Sequence, residues 1–375
     1  MAEENSPINT NDCTFLIPCL SKEDFVDSNG FKNEYTYQIF GEEEEISGYK
    51  NLRILIYYIP VVFKFYIKIE HDSPDMDSQI IIDKFKENTL IDFVLNETEF
   101  LESLENFHNN QGLIGTLKEE FSHNDETFIV HFVDNLKDNN VVTFHKAYHF
   151  FAIGFIEGAN EIDLDDEGWR FLVCYKKIKK CDGTIIYDFA GVFSLYVFRI
   201  LSKIRPRISV AYVLPPFRRL GVASKLLSNI YSIYSHEQNV IDISVETPVD
   251  EFQSMRHSVD CKLISRVKGC KEIFEFCSDN KKFDLDKFQK AYKDFVDLNL
   301  KNYKFNRQQR LKVFILLSFI MAKRKKVCEE VVLEFFLRKM KLKRKVPKDM
   351  EEESNEQLLN VVNYFREIAM KIKIE

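Results

Sequence analysis

Hydrophobic positions along this chain fall into two periods. Ile208 to Leu214 is a β-branched and aromatic run that predicts a buried strand. Behind it Val222, Leu226, Leu227, Ile230, Ile233 and Tyr234 recur at helical spacing, and Val240 to Glu246 predicts a second strand. Strand-like runs also occur at Leu52–Tyr58 and Phe63–Ile67, within a small mixed region from Tyr35 to Ile69. Farther on the period is helical: Phe288, Tyr292, Phe295 and Leu298 share one face, and Leu358, Val362, Phe365 and Ile368 another. Asn306 is placed to cap a helix through Leu311 to Ile320. The first dozen residues are polar and are expected to fray. A polar break at Asn109 to Leu113 divides the mixed region from the next strand set, and no internal repeat is visible. The pattern predicts an α+β (mixed α/β) protein with three parts: 1–112, 113–265, and a helical 266–375.

Composition narrows the class. The 375 residues are 45% hydrophobic, with 34 Phe and 16 Tyr, so there is ample material for a core. A net charge of −7 argues against binding nucleic acid and suits a basic partner. Eight scattered cysteines without a C-x-x-C suggest neither a zinc site nor a disulfide framework, and point to a reducing compartment. The chain opens on polar residues rather than a secretory signal. Val313 to Ala322, broken by Ser318, is too short for a bilayer, which takes ~20 residues. The expectation is a soluble intracellular protein.

The most informative stretch is the turn between the 208–214 strand and its helix, Arg218-Arg219-Leu220-Gly221-Val222-Ala223, with Pro215-Pro216 stiffening its entry. Gly221 and Ala223 let a ligand approach the backbone, and the first-turn N–H groups lie at the positive end of the helix dipole. Such a turn is suited to phosphate. It has one glycine where the dinucleotide fingerprint wants three, and it lacks the Gly-Lys-Ser/Thr of the triphosphate loop. It fits Arg/Gln-x-x-Gly-x-Gly/Ala, the coenzyme A pyrophosphate loop of the Gcn5-related N-acetyltransferases (GNAT).

Further segments resemble one branch of that superfamily, the type B histone acetyltransferase catalytic subunit. They are Phe155-Ile156-Glu157, Ile162 to Trp169, Arg205-Pro206-Arg207-Ile208-Ser209, Leu214-Pro215-Pro216-Phe217 and Asp242 to Pro248. Upstream, Phe40-Gly41-Glu42-Glu43-Glu44 and Gly48 to Leu52 resemble its amino-terminal domain. The resemblance runs in order from about Phe40 to about Arg256 and implies a GNAT core between an amino-terminal mixed α/β domain and a carboxy-terminal helical domain. It implies transfer of acetyl from acetyl-CoA, without a metal, to lysines of newly made soluble histone H4 by direct attack in a ternary complex. A WD-repeat histone chaperone as partner, and residence in nucleus and cytoplasm, come with it. Two rival readings are a GNAT enzyme for another amine, such as a protein amino terminus or polyamine, and a catalytically silent histone-binding scaffold.

Site residues follow from the same source. Resemblance puts coenzyme contacts at Ala211, Tyr212, Val213 and Arg218, Arg219, Leu220, Gly221, Val222, Ala223 and Ser224. A lysine ammonium, with a free pKa of ~10.4, must lose its proton before attack, so a carboxylate base is needed. Resemblance puts that base at Glu246, whose bland alternative is a solvated strand-end glutamate. Glu157 matches a second catalytic carboxylate; following the apolar run Phe150 to Ile156, it is expected to be partly desolvated, or else to be a helix-end carboxylate. Thr247 stands where the family has an Asp, which puts a third carboxylate role in doubt. Trp169, the one tryptophan, follows an acidic run and matches an aromatic wall of the histone-tail groove, as does Tyr196. Glu42, Glu43 and Glu44 match its acidic side, or form an ordinary solvated turn. His145 and His149 have metal-ligand spacing but no third ligand at a telling distance, so a core or surface role is expected. The basic run from Lys323 to Lys326, with Arg338 to Lys348, reads as an import signal, a docking face or solvated helix sides.

Overall fold

The computed structural model describes residues 6–109, 111–267, 269–270, 290, 293–295, 303–323 and 351–373. The chain forms two compact units: Met1–Phe198 with Arg207–Asn229, and Arg199–Pro206 with Ile230–Glu375.

The first unit contains two large sheets and a short two-stranded pairing of Ile8–Asn9 with Glu45–Ile46. Strands β1 (Thr14–Pro18), β2 (Phe31–Lys32), β3 (Arg53–Ile59), β4 (Lys64–Glu70) and β5 (Phe93–Val94) make a mixed sheet in the order β2-β1-β3-β4-β5. The hydrophobic runs predicted at 52–58 and 63–67 are its central hairpin, paired from Arg53↔Glu70 to Ile59↔Lys64. Helices α1 (Ser78–Asn88) and α2 (Glu97–Asn106) belong to this half, capped by Asp77 and Asn96 side chains that accept first-turn N–H groups. The second sheet contains β6 (Thr116–His123), β7 (Glu126–Val133), β8 (Trp169–Lys179), β9 (Ile185–Ile200) and β10 (Lys203–Val213) as sequential neighbours. Pairing is antiparallel from β6 through β9.

Between β7 and β8 comes α3 (Asn139–Phe155), a helix apolar on nearly all faces, as a buried helix must be. Its aromatic side chains touch both sheets. Phe151 meets Tyr58 at 5.2 Å and Phe150 meets Phe65 at 5.3 Å, while Phe144 and Tyr148 pack on Phe171 at 5.5 and 5.2 Å. The tight turn of the β3–β4 hairpin adds Phe63, whose ring lies 5.5 Å from Phe189 and 5.8 Å from Phe144. That turn holds Val61 at φ +68 and Phe63 at φ +52, a costly backbone for a β-branched or bulky residue, stabilised here by burial of both side chains.

Helix α4 (Val222–Ser235) follows β10 as predicted. In the second unit the start of β10 forms a parallel bridge between Ile204 and Val240, and Arg205 clasps Asp242 through two hydrogen bonds of 2.6 and 3.3 Å. The strand expected over Val240 to Glu246 is reduced to β11 (Ser244–Val245). The cause is that Ile241 bonds to Ile204 while Ile243 turns its N–H to the Lys304 carbonyl, which interrupts the ladder. Among the described residues this unit also contains helices α5 (Asp250–Ser265), α6 (Arg307–Lys323) and α7 (Glu351–Lys371), with α6 packed on both others. Asn306 caps α6 by accepting the Gln309 N–H at 2.9 Å, as its position predicted. A buried network joins Arg256, Tyr231, Gln309 and Asp260, and burial raises the Asp260 carboxyl to about 6.

The mixed α/β class with carboxy-terminal helices is therefore present. The expected fraying at the start is corrected from Ile8 onward: Ile8–Asn9 pairs with Glu45–Ile46, and Thr10 is buried, bonded to Thr36 at 2.6 Å. Phe288, Tyr292, Leu298 and the basic runs at 324–326 and 338–348 lie outside the described residues. Among the described residues no helix is long and apolar enough to cross a membrane.

Candidate active site

The phosphate-type turn has the backbone its sequence predicted. Leu214 leaves β10 with its N–H on the Ala190 carbonyl at 3.0 Å, and Pro215–Phe217 form one 3₁₀ turn anchored by the buried Phe217. Arg219 at φ +67 and Gly221 at φ +83 then bend the chain into α4, whose first bond is Lys225 N–H to the Gly221 carbonyl at 3.0 Å. By helix geometry the N–H groups of Gly221, Val222, Ala223 and Ser224 have no intrahelical acceptor. Free N–H groups at a helix start are suited to an anion. A Cβ built on Gly221 would meet nothing closer than His123 Nδ1 at 3.9 Å, so the glycine serves the backbone angle and leaves that face open. The helix is tied to β6 by Glu119, which takes Lys225 and, at 2.7 Å, the Asn229 amide.

The other proposed coenzyme positions divide by orientation. Tyr212 points inward, its hydroxyl donating to the Tyr148 carbonyl at 3.2 Å, whereas Ala211 and Val213 are half-buried. Gly191 permits β9 to approach this edge closely; a Cβ there would lie 2.7 Å from the Tyr212 carbonyl oxygen. Arg219 is exposed, and Leu220 is half-buried. Arg218 is engaged with protein: Nη1 contacts Glu34 Oε1 at 2.6 Å, Nε donates to the Val213 carbonyl at 3.0 Å, and the guanidinium lies 5.6 Å from the Phe155 ring centre.

Trp169 and Tyr196 are brought together. They are register partners on β8 and β9, with rings 5.1 Å apart at 72°. Gly168 makes the approach possible, since a Cβ would fall 2.7 Å from the Tyr196 ring. The Tyr196 hydroxyl is hydrogen-bonded to Asp166, which holds the phenol above its usual range. Phe198 extends the row, 4.7 Å from Tyr196, with the Arg207 guanidinium 4.6 Å from its ring centre. Half-buried aromatic edges beside Asp163, Asp165, Asp166 and Glu167 can take the stem and head of a lysine.

The carboxylates differ. Glu157 is exposed rather than desolvated, because α3 ends at Phe155 and the chain turns outward through Gly158. It stands near Tyr35, whose phenol is raised by burial and then by the charges of Glu157, Glu34 and Glu44. Glu246 lies in the second unit, exposed at the end of β11, followed by Thr247 at φ +33, a strained angle for a β-branched residue. Of the acidic trio, Glu42 and Glu43 are exposed. Glu44 is bonded within the protein: Oε1 accepts the Thr36 and Tyr37 N–H groups at 2.7 and 3.0 Å, and Oε2 accepts the Asn11 amide at 2.6 Å. Its carboxylate closes that turn.

His145 and His149 are core residues, and burial lowers the basicity of both. Among the described residues no group of three or more His, Cys, Asp or Glu side chains is arranged to hold a metal. Sequence reasoning missed Glu34, His123 and Phe198. Only Phe198 had a readable signal, its i, i+2 spacing from Tyr196 on a strand.

Residues 7–157 match the family model described as the histone acetyl transferase HAT1 N-terminus. The chain is 27% identical over 314 residues to the histone acetyltransferase type B catalytic subunit of Homo sapiens, spanning 79% of this chain and 70% of that protein. With the Kluyveromyces lactis protein of the same name it shares 30% identity over 251 residues, covering 63% and 64%. A solved aminoglycoside acetyltransferase from a soil metagenome aligns with 35% of this chain and 86% of its own at 14% identity and a TM-score of 0.26, too slight a likeness to bear on the fold. Its amino-terminal match and its similarity over most of its length make this chain a sequence relative of the type B histone acetyltransferase catalytic subunits.

Proposed function

We propose that this protein is a lysine N-acetyltransferase that moves acetyl from acetyl-CoA to the amino-terminal tail of soluble, newly synthesised histone H4. The observation that carries the reading is the strand–turn–helix at Val213 to Ser224, with Gly221 left-handed and four helix-start N–H groups offered to an anion, in a chain related to proteins named histone acetyltransferases. Those N–H groups would take the coenzyme pyrophosphate. The Trp169–Tyr196 pair with its acidic neighbours would take the lysine stem, a basic tail being the partner that a net charge of −7 favours.

The chemistry is a direct displacement. Glu246 takes the proton from the lysine ammonium, directly or through a water, and the neutral amine attacks the thioester carbonyl. The tetrahedral adduct collapses with loss of the coenzyme thiolate, and the proton shed by the amide nitrogen ends on the sulfur, giving N-acetyl-lysine and free coenzyme A. Glu246 is chosen by resemblance and by its place in the chain order strand, turn, helix, strand-end. Glu157, exposed beside Tyr35, is the second carboxylate of this scheme. A WD-repeat histone chaperone as companion, and action in cytoplasm and nucleus, belong to the same reading. Incubating free histones with this protein and acetyl-CoA, followed by mass spectrometry, tests it. Acetyl on H4 tail lysines is the expected outcome; acetylation confined to protein amino termini or small amines, or none at all, overturns it.

A further inference from the structure

Glu34 and Arg218 meet from distant parts of the chain, and nothing in the family resemblance assigns a role to Glu34. The contact is well supported on both sides. Glu34 and Tyr35 both donate their N–H groups to the Gly154 carbonyl, at 2.9 and 3.1 Å, in the last turn of α3. The approach needs glycine there, because a Cβ on residue 154 would lie 2.8 Å from Asn33 Oδ1. Two more bonds continue the strap: Gly158 N–H donates to the Tyr37 hydroxyl at 2.7 Å, and the Gln38 amide to the Ala159 carbonyl at 2.9 Å. Glu34 is thus delivered to Arg218 by a backbone fixed on α3.

Arg218, for its part, reaches back to the Val213 carbonyl and so closes the turn across Pro215–Phe217. With Nε on Val213, Nη1 on Glu34 and its face toward Phe155, the guanidinium is directed at protein. We propose that Glu34 is a positioning residue for the coenzyme turn, holding Arg218 in its loop-closing pose so that the backbone N–H groups of residues 221–224 stay open to pyrophosphate. The inference rests on the coenzyme reading above. Both side chains are over two-fifths exposed, so the pair adds little to global stability, and its consequence is local geometry. The opposite arrangement, in which Arg218 swings onto phosphate and Glu34 competes for it, predicts an effect of opposite sign.

Calorimetric titration of acetyl-CoA into the full chain and its Glu34→Gln, Arg218→Gln and double variants decides the matter. Glu34→Gln weakens binding about threefold to tenfold, the scale of a coupled pair, and raises the KM for acetyl-CoA with kcat and the thermal midpoint nearly unchanged. Glu34→Asp restores most of the affinity, and Glu34→Gln adds nothing in the Arg218→Gln background. Tighter binding, unchanged binding, additive effects of the two substitutions, or a loss that only follows a drop in thermal midpoint would each overturn the proposal. A wild-type chain that binds no acetyl-CoA removes the coenzyme reading and this inference together; wild-type binding with an indifferent Glu34→Gln removes this inference alone.

Discussion

Replacing Asp188 with Asn isolates a single buried charge whose cost can be worked out in advance. Asp188 stands on β9 opposite Lys176 of β8, only 7% exposed, and its Oδ1 has no hydrogen-bond partner. Lys176 is committed to Glu126, and the nearby Tyr58 hydroxyl is likewise unsatisfied. Burial pushes the Asp188 carboxyl from 3.8 to about 7, with the Lys176 charge opposing. The folded protein therefore keeps this proton up to about pH 7, whereas the unfolded chain releases it near pH 4. Across that window the native state binds more protons, so stability falls as pH rises, and the loss is complete above the folded value. The gap corresponds to on the order of 4 kcal/mol at 1.36 kcal/mol per decade. Asn keeps the shape and cannot ionise. The stability difference between Asp188→Asn and wild type should thus grow by about 2–3 kcal/mol in favour of the variant between about pH 5 and about pH 8.5. Urea titration followed by the fluorescence of Trp169, the one tryptophan and a residue of the same unit, measures it. Parallel pH profiles for the two proteins would show that Asp188 is not titrating in this range.

The remaining predictions bear on the proposed chemistry. Glu246→Gln should keep acetyl-CoA affinity while turnover near neutral pH falls by about 10² to 10⁴, with a residual rate that climbs with pH; near-normal turnover removes the base assignment. Trp169→Ala should raise the KM for an H4 tail peptide by roughly tenfold with coenzyme affinity kept, the scale of a lost cation–π and packing contact. A joint loss of both ligands with a lowered thermal midpoint would make Trp169 a core residue. Gly221→Val should cost about 1–3 kcal/mol locally, because a β-branched residue is forced to φ +83 rather than for want of room, and acetyl-CoA affinity should fall at least tenfold in a folded protein. Calorimetry showing wild-type affinity would end the loop assignment.

What the sequence disclosed was local. The turn at 214–221, its strand and its helix were legible because Pro215-Pro216, Gly221 and the apolar spacing of α4 act over a few residues. Asn306 was legible for the same reason. The shortened β11 was not, since its ladder is broken by a bond to Lys304, far along the chain. Glu44 looked like its neighbours Glu42 and Glu43, and only the return of Thr36, Tyr37 and Asn11 to its oxygens makes it a cap. The exposure of Glu157 was not legible, because the apolar run reaches Ile156 while the buried helix ends at Phe155, two residues before the carboxylate.

A helix apolar on nearly all faces needs partners on more than one side, and α3 finds them in Tyr58 and Phe65 of one sheet and in Phe171 and Phe189 of the other. The amino-terminal sheet is therefore half of the packing that fixes α3. The end of α3 is where Phe155 meets Arg218, where the 34–38 strap is bonded and where Glu157 emerges. The matched amino-terminal family region, residues 7–157, accordingly holds the first sheet and α3 together. The region thus includes the helix that neither sheet can bury alone.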